Sequence, residues 1–404
     1  MQWWSILRYP GLKGYVLVRF STALAVQIQT VAVGWYIYDA TKDPFYLGLV
    51  GLSQFLPALV LVLATGAVAD RFRRRTVMAI CLLAQALCAI AILVSIRLGP
   101  DAIWAVFAAL VGFGTARAFF NPAQQSLLPN LVPPEHLGSA IAVNVVGLKL
   151  GTVVGPLLGG LFYAISAELA FGATIVALLA AASLMLLIPR PVQGQPTEAR
   201  SLKTLLAGFS YIRSQKIVLG AITLDLFTVL LGGVTALFPV YAADILHIGP
   251  VGLGLLVAAP AVGTVFVALY LSVRPIADHA GTMLFVSVAV SAMAILVFGL
   301  STVTVVSLIA LVINGGADMV SVYLRHTLIQ LWTPDAVRGR VSAVNAVVLD
   351  ASNELGAFRA GTLAAVTGVV PAVVIGGVGI LAIAGVWLKW FPELKNVRDL
   401  HGLR

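Results

Sequence analysis

Nine ionisable side chains interrupt otherwise apolar stretches of this 404-residue chain: Arg19, Arg117, Lys149, Asp225, Asp318, Arg325, Asp350, Glu354 and Arg359. At the centre of a membrane helix each would cost about 3 kcal/mol on insertion scales. Such groups must therefore pair, take up a proton or face water. Their spacing sorts them. Asp318 and Arg325 are seven apart and share a helix face. Asp350 and Glu354 are four apart and share another, and two carboxylates that close compete for one proton, which suits a proton carrier. Arg359 lies about half a turn from Asp350 and points elsewhere. The chemistry on offer is ion pairing and reversible protonation, not covalent catalysis. His136, His247, His279, His326 and His401 are scattered without metal-ligand spacing, and no nucleophile–base pair stands out. No G-x-x-x-x-G-K-[ST] loop is present to cradle a nucleotide. Neither an enzyme nor a metal or cofactor site is expected.

The elements that carry these charges are set by composition. The chain is 60% hydrophobic and 10% charged, with a mean hydropathy of +1.02. Soluble domains are about 25% charged. An all-α integral membrane protein is therefore expected. Runs of about 20 apolar residues mark spans, and twelve are placed near 15–38, 44–66, 76–97, 101–122, 138–163, 167–188, 217–243, 250–273, 282–300, 303–330, 338–366 and 369–391. Two lysines and arginines, Lys42 and Arg97, fall in one set of loops; eighteen fall in the other, which includes both termini. The positive-inside rule puts the termini in the cytoplasm. A basic cytoplasmic face accounts for the net charge of +9 without a nucleic-acid partner.

The chain also resembles itself. A shift of 201 residues lays Gly138 on Gly339, Asn144 on Asn345, Gly155 on Gly356 and Gly160 on Gly361. Two parallel six-span halves are expected: residues 1–188, a linker over 189–216 with a short amphipathic piece, and 217–404 ending in a short cytoplasmic tail. Repeat-built transporters place their substrate near the midplane between halves and rock around it. The shift sets Arg117 on Asp318 and Lys149 on Asp350, opposite charges at equivalent positions.

Two motifs carry a family resemblance. "GAVADRFRRR" holds Gly66, Asp70, Arg71, Arg74 and Arg75 and resembles the G-x-x-x-D-R-x-G-R-R loop of the major facilitator superfamily, with Arg73 where the family has a second glycine. Its aspartate can meet the positive end of a helix, and its arginines can pair with carboxylates or lipid phosphates, latching one conformation. "GTVVGPLLGG" matches G-x-x-x-G-P-x-x-G-G at Gly151, Gly155, Pro156, Gly159 and Gly160. In the superfamily that motif accompanies drug:proton antiporters. Gly151, Gly155 and Gly159 share one face, so a second helix can approach closely, and a contact between the halves is expected. The flanks "RAFFNPAQQSLLPNLVPPEHLGSAIAVN" and "DAVRGRVSAVNAVVLDASNELGAF" are similar to the enterobactin-exporter-like, or transmembrane secretion effector, branch.

The resemblance implies the major facilitator fold, with spans 1, 4, 7 and 10 lining a cavity. Arg19, Arg117, Asp225 and Asp318 fall one on each. With Arg325, Asp350 and Glu354 they form the candidate set for substrate binding and proton coupling, Arg19 and Arg117 being the expected counter-charges of Asp225 and Asp318. The implied function is a proton-coupled exporter of small amphiphilic molecules, siderophore- or drug-like, driven by the proton gradient, monomeric, in the bacterial inner membrane. A carrier moving lipid or lysophospholipid between leaflets is the alternative. A ligand receptor without transport is a third reading, and it lacks a cytoplasmic domain to receive a signal.

Overall fold

In the computed structural model, residues 8–9, 11–189, 202–276 and 278–398 are described. Within them the chain is helical: α1 (Leu12–Thr41), α2 (Pro44–Val60), α3 (Val62–Arg71), α4 (Arg74–Leu98), α5 (Ile103–Leu127), α6 (Leu137–Ile165), α7 (Ala167–Leu187), α8 (Leu202–Ser214), α9 (Lys216–Gly232), α10 (Phe238–Val240), α11 (Gly249–Val273), α12 (Ala280–Leu300), α13 (Thr304–Leu331), α14 (Asp335–Thr367), α15 (Val369–Trp390) and α16 (Pro392–Lys395). Ten segments among the described residues are long and apolar enough to cross a membrane. The other two of the twelve spans have visible reasons for missing that measure. The second restarts after Leu61, splitting into α2 and α3. The eleventh, α14, carries Asp350, Glu354 and Arg359. The repeat holds at the level of elements: a shift of 201 residues brings the start of α5 onto the start of α13 at Thr304.

The chain packs as two compact units. The first comprises Met1–Ala40, Ser53–Arg200 and Gly249–Ala258; the second comprises Thr41–Leu52, Ser201–Ile248 and Ala259–Arg404. The core of the first includes Tyr15, Met78, Leu82, Phe113, Phe120 and Leu178. Tyr15 buries its ring there and donates its hydroxyl proton to the Gln124 carbonyl at 2.9 Å. In the second, Tyr241 and Phe298 stack with centroids 4.4 Å apart, and the Tyr241 hydroxyl donates to the Gly299 carbonyl. Close helix crossings recur at equivalent glycines. A side chain at Gly114 would enter the Gln54 backbone, and one at Gly315 the Pro260 backbone.

The seventh span departs from the single helix expected over 217–243. α9 stops at Gly232, a 3-10 turn covers Val234–Leu237, and a π turn covers Tyr241–Ile245. Gly233 sits so close to the Gly356 backbone of α14 that no side chain fits. A helix end in hydrocarbon leaves carbonyls without partners. Arg359 of α14 supplies them: its Nε donates to Leu230 at 2.9 Å and its Nη2 to Leu231 at 2.6 Å. That explains an arginine at membrane depth without assigning it to transport.

The amphipathic piece expected in the linker is α8. It joins the second unit, where Tyr211 donates to the Trp332 carbonyl at 2.8 Å. Residues 190–201 lie outside the described residues. The segment after α15 folds back on α12 through hydrogen bonds from the His279 and Gly281 amides to the Arg398 and Val397 carbonyls.

Candidate functional site

Each unit holds a polar cavity, and the repeat relates the two. In the second unit α9, α12, α13 and α14 surround one of about 160 Å³, lined by Thr228, Asn314, Asp318, Ser321, Arg325 and Asn353 among others. In the first, α1, α4, α5 and α6 surround one of about 270 Å³, lined in part by Gln27, Arg117, Phe120, Gln124 and Thr152. A shift of 201 residues carries these five onto Thr228, Asp318, Ser321, Arg325 and Asn353 in turn. Equivalent faces of equivalent helices therefore line both cavities, with different chemistry at each position.

The second unit's cavity is built on an ion-pair cluster. Arg325 on α13, 4% exposed, places Nη2 at 2.8 Å from Asp225 Oδ1 on α9 and 3.9 Å from Asp318 Oδ1 on its own helix. The Asp225 contact is charge against charge, without the alignment of a hydrogen bond. Asp225 is buried. Asp318 is 55% exposed and lines the cavity. One guanidinium thus serves two carboxylates of unequal exposure. Arg325 is the counter-charge of both aspartates, in place of the expected Arg19 and Arg117. The reason is geometric: α9 packs against α13, so the partner of Asp225 comes from the neighbouring helix of its own unit.

The first unit's cavity carries the opposite sign. Arg19 and Arg117 line it and no carboxylate does. Arg19 donates Nε to Asn144 Oδ1 at 3.2 Å. Asp350 and Glu354 lie elsewhere on α14. Asp350 is exposed, and the Glu354 carboxylate packs against Gly51 of α2. Neither lines the second unit's cavity, to which α14 contributes Asn353. The sequence reading passed over Thr22, Gln85, Gln124, Asn314 and Asn353. A polar residue inside an apolar span was the available signal, and Gln27 and Asn121, which also line the first unit's cavity, carry the same one.

The two motifs take up structural positions that differ from expectation. Gly151, Gly155 and Gly159 pack on α1 of the same half, not on the second half. Their missing side chains would stand 2.8 Å from Ala23 Cβ, 2.6 Å from Gln27 Cβ and 3.0 Å from Ile28 Cα. At the far end of the motif, Gly160 and Pro156 meet Pro250 and Gly254 of α11, within the same compact unit. In the loop motif Gly66 is buried. Arg74 donates to the Ser126 carbonyl at 2.7 Å, and Arg75 donates to the Leu186 carbonyl. These carbonyls belong to the last turns of α5 and α7, which lack intrahelical donors, so the two arginines cap helix ends inside their own bundle. Arg71 and Arg73 rim an apolar recess with Phe72 and Phe119. The Asp70 side chain lies outside what the structure describes.

Comparison with known proteins agrees with this architecture. The chain is 29% identical to the enterobactin exporter EntS of Citrobacter koseri, over 98% of this chain and 95% of that protein. It is 28% identical to the EntS of Escherichia coli K12, with the same coverage. Among solved structures, a bacterial homologue of the human lysosomal transporter Spinster superposes with a TM-score of 0.72 at 15% identity, covering 98% of this chain and 96% of that one. The nucleoside transporter NupG superposes with a TM-score of 0.71 at 13% identity, covering 94% of this chain and 98% of that one. Residues 15–357 match the Major Facilitator Superfamily. Twelve spans in two sequence-related halves, with charged cavity faces at repeat-equivalent positions, belong to a membrane transporter and not an enzyme, and this chain is a member of the Major Facilitator Superfamily.

Proposed function

We propose that this protein is a proton-coupled exporter of small amphiphilic, siderophore-like molecules, working as a monomer by alternating access in the bacterial inner membrane with both termini in the cytoplasm. The observation that carries the proposal is the Asp225–Arg325–Asp318 cluster. Asp318 faces the cavity and shares its arginine at long range, so it can exchange a proton without dismantling the buried pair beneath it. A proton taken from outside neutralises Asp318 and loosens its hold on Arg325. Loss of that proton to the cytoplasm restores the contact. Asp225 keeps Arg325 in place throughout. The proton gradient supplies the energy, and no nucleotide loop exists to supply it otherwise. The substrate class is supported by the enterobactin exporters that match nearly the whole chain. In the loop motif, Asp70 is assigned as the conformational latch, and Asp70→Asn is expected to slow transport while leaving the fold intact.

Inside-out vesicles with an imposed pH gradient, acidic inside, test the reading. Radiolabelled enterobactin and ethidium serve as probes. Accumulation that collapses when a protonophore is added supports the proposal. Wild-type protein that binds a probe yet ignores the gradient removes proton coupling and makes the lipid carrier the leading reading.

A further inference from the structure

The positively charged cavity of the first unit has an unmet demand for a ligand. Arg19 commits only its Nε to Asn144. Arg117 has no hydrogen-bond or ion-pair partner among the described residues. Three buried polar side chains around them also hold partnerless atoms. Gln85, with no exposed surface, bonds through neither its amide oxygen nor its amide nitrogen. Gln124 Oε1 and Thr22 Oγ1, on residues each 7% exposed, have none either. A buried polar group left without a partner costs about 1–3 kcal/mol, and native interiors seldom keep one without a reason. Here three such side chains converge on one cavity beside two guanidinium groups.

The complement of that lining is specific. Two guanidinium forks call for negative charge on oxygen. Gln85 offers a donor and an acceptor, so the ligand must both accept and donate. Phe120 supplies a flat apolar wall. The volume, about 270 Å³, lies under the ~300–1,000 Å³ of a pocket for a whole drug-sized molecule, so it takes one group of a larger substrate. We infer that this cavity is the acceptor site for an anionic, oxygen-bearing aromatic ring of the transported molecule: a carboxylate or phenolate with a hydroxyl beside it. The identification of the ligand as cargo rests on the exporter reading; the binding chemistry does not.

The test measures binding to the purified full-length protein in nanodiscs by calorimetry. Salicylate is the probe, salicylamide its uncharged isostere, and benzylamine a ring of opposite charge. Salicylate binds, salicylamide binds at least about tenfold more weakly, as the loss of charge-assisted hydrogen bonds implies, and benzylamine does not bind. Arg117→Gln weakens salicylate about tenfold or more and leaves salicylamide unchanged, and Gln85→Leu weakens both. Thermal unfolding reports whether each variant is folded. If Arg117→Gln is not, Arg117→Lys keeps the charge and binds salicylate with intermediate affinity. Equal affinity for salicylate and salicylamide, or a folded Arg117→Gln that binds salicylate like the wild type, overturns the assignment and leaves a cavity that holds water only. Binding as described without gradient-driven transport sinks the exporter reading and spares the cavity; gradient-driven transport that salicylate neither competes with nor binds against sinks the cavity alone.

Discussion

Replacing Arg325 by methionine keeps the bulk on α13 and removes the guanidinium from between two aspartates. In the wild type that group lies 2.8 Å from Asp225 and is 4% exposed. Deleting one member of a buried ion pair costs about 3–5 kcal/mol, because the remaining charge stays buried alone. The contact to Asp318, at 3.9 Å and half-exposed, adds at most about 1 kcal/mol. The absence of hydrogen-bond alignment to Asp225 places the loss toward the lower end of the range. At about 2–4 °C per kcal/mol for a bundle of roughly 200 residues, Arg325→Met lowers the unfolding midpoint by about 6–20 °C. Tryptophan fluorescence of the purified protein during heating in detergent reads that shift. Asp225→Asn alone falls by less, because the stranded Arg325 keeps Asp318 as a counter-charge at 3.9 Å. The double variant recovers part of the Arg325→Met loss, as expected for coupled neighbours. A single-variant shift under about 2 °C, or strict additivity in the double variant, would refute a buried pair joining α9 to α13.

Three further perturbations follow from the packing. Gly155→Leu drives a side chain into Gln27, whose Cβ stands 2.6 Å from where the new Cβ must sit; it should cost about 1–3 kcal/mol or more, while Gly138→Ala, with nothing within 4 Å, is neutral in the same thermal assay. Arg359→Met strips the donors from the Leu230 and Leu231 carbonyls; at about 1.5–3 kcal/mol per charge-assisted bond it should be strongly destabilising, and hydrogen exchange should rise across 233–237. Outside the membrane spans, the hydrogen bond from Lys216 holds the Glu393 carboxyl below the usual carboxylate range. That contact therefore stabilises above the ordinary glutamate range and is lost as pH falls through the lowered value; Glu393→Gln should flatten this acid-side dependence of the midpoint, and an unchanged pH profile would contradict it.

Much of the architecture was legible because the bilayer imposes it. Span length, loop charge and a 201-residue repeat each follow from one physical constraint, and together they mark twelve spans in the sequence, ten of which meet the length and hydropathy of a membrane crossing among the described residues. The shared helix face of Asp318 and Arg325 was legible from their spacing of seven, but their pairing was not, since the repeat pointed to Arg19 and Arg117 as counter-charges. Asp225 was different. Its partner lies on another helix, and periodicity says which way a side chain points but not which helix stands opposite. The glycine face of α6 was misplaced for the same reason: a stripe without side chains announces a close neighbour but does not name α1. Gln85 is a single amide in the apolar run of α4, a signal too common by itself to mark a site; its burial without partners is what marks it. The broken seventh span was hidden because its residues are as apolar as a continuous helix, and the break becomes visible only where Gly233 meets α14.

If Asp318 carries the proton, the Asp318→Asn protein loses gradient-driven accumulation in the inside-out vesicle assay. Asparagine keeps the shape and the hydrogen-bonding capacity of the side chain but cannot cycle a proton. Asp318→Asn protein, folded and still binding the probe, should equilibrate it across the membrane without accumulating it when the lumen is acidic. Accumulation by Asp318→Asn to the wild-type level, abolished by a protonophore as in the wild type, would contradict it.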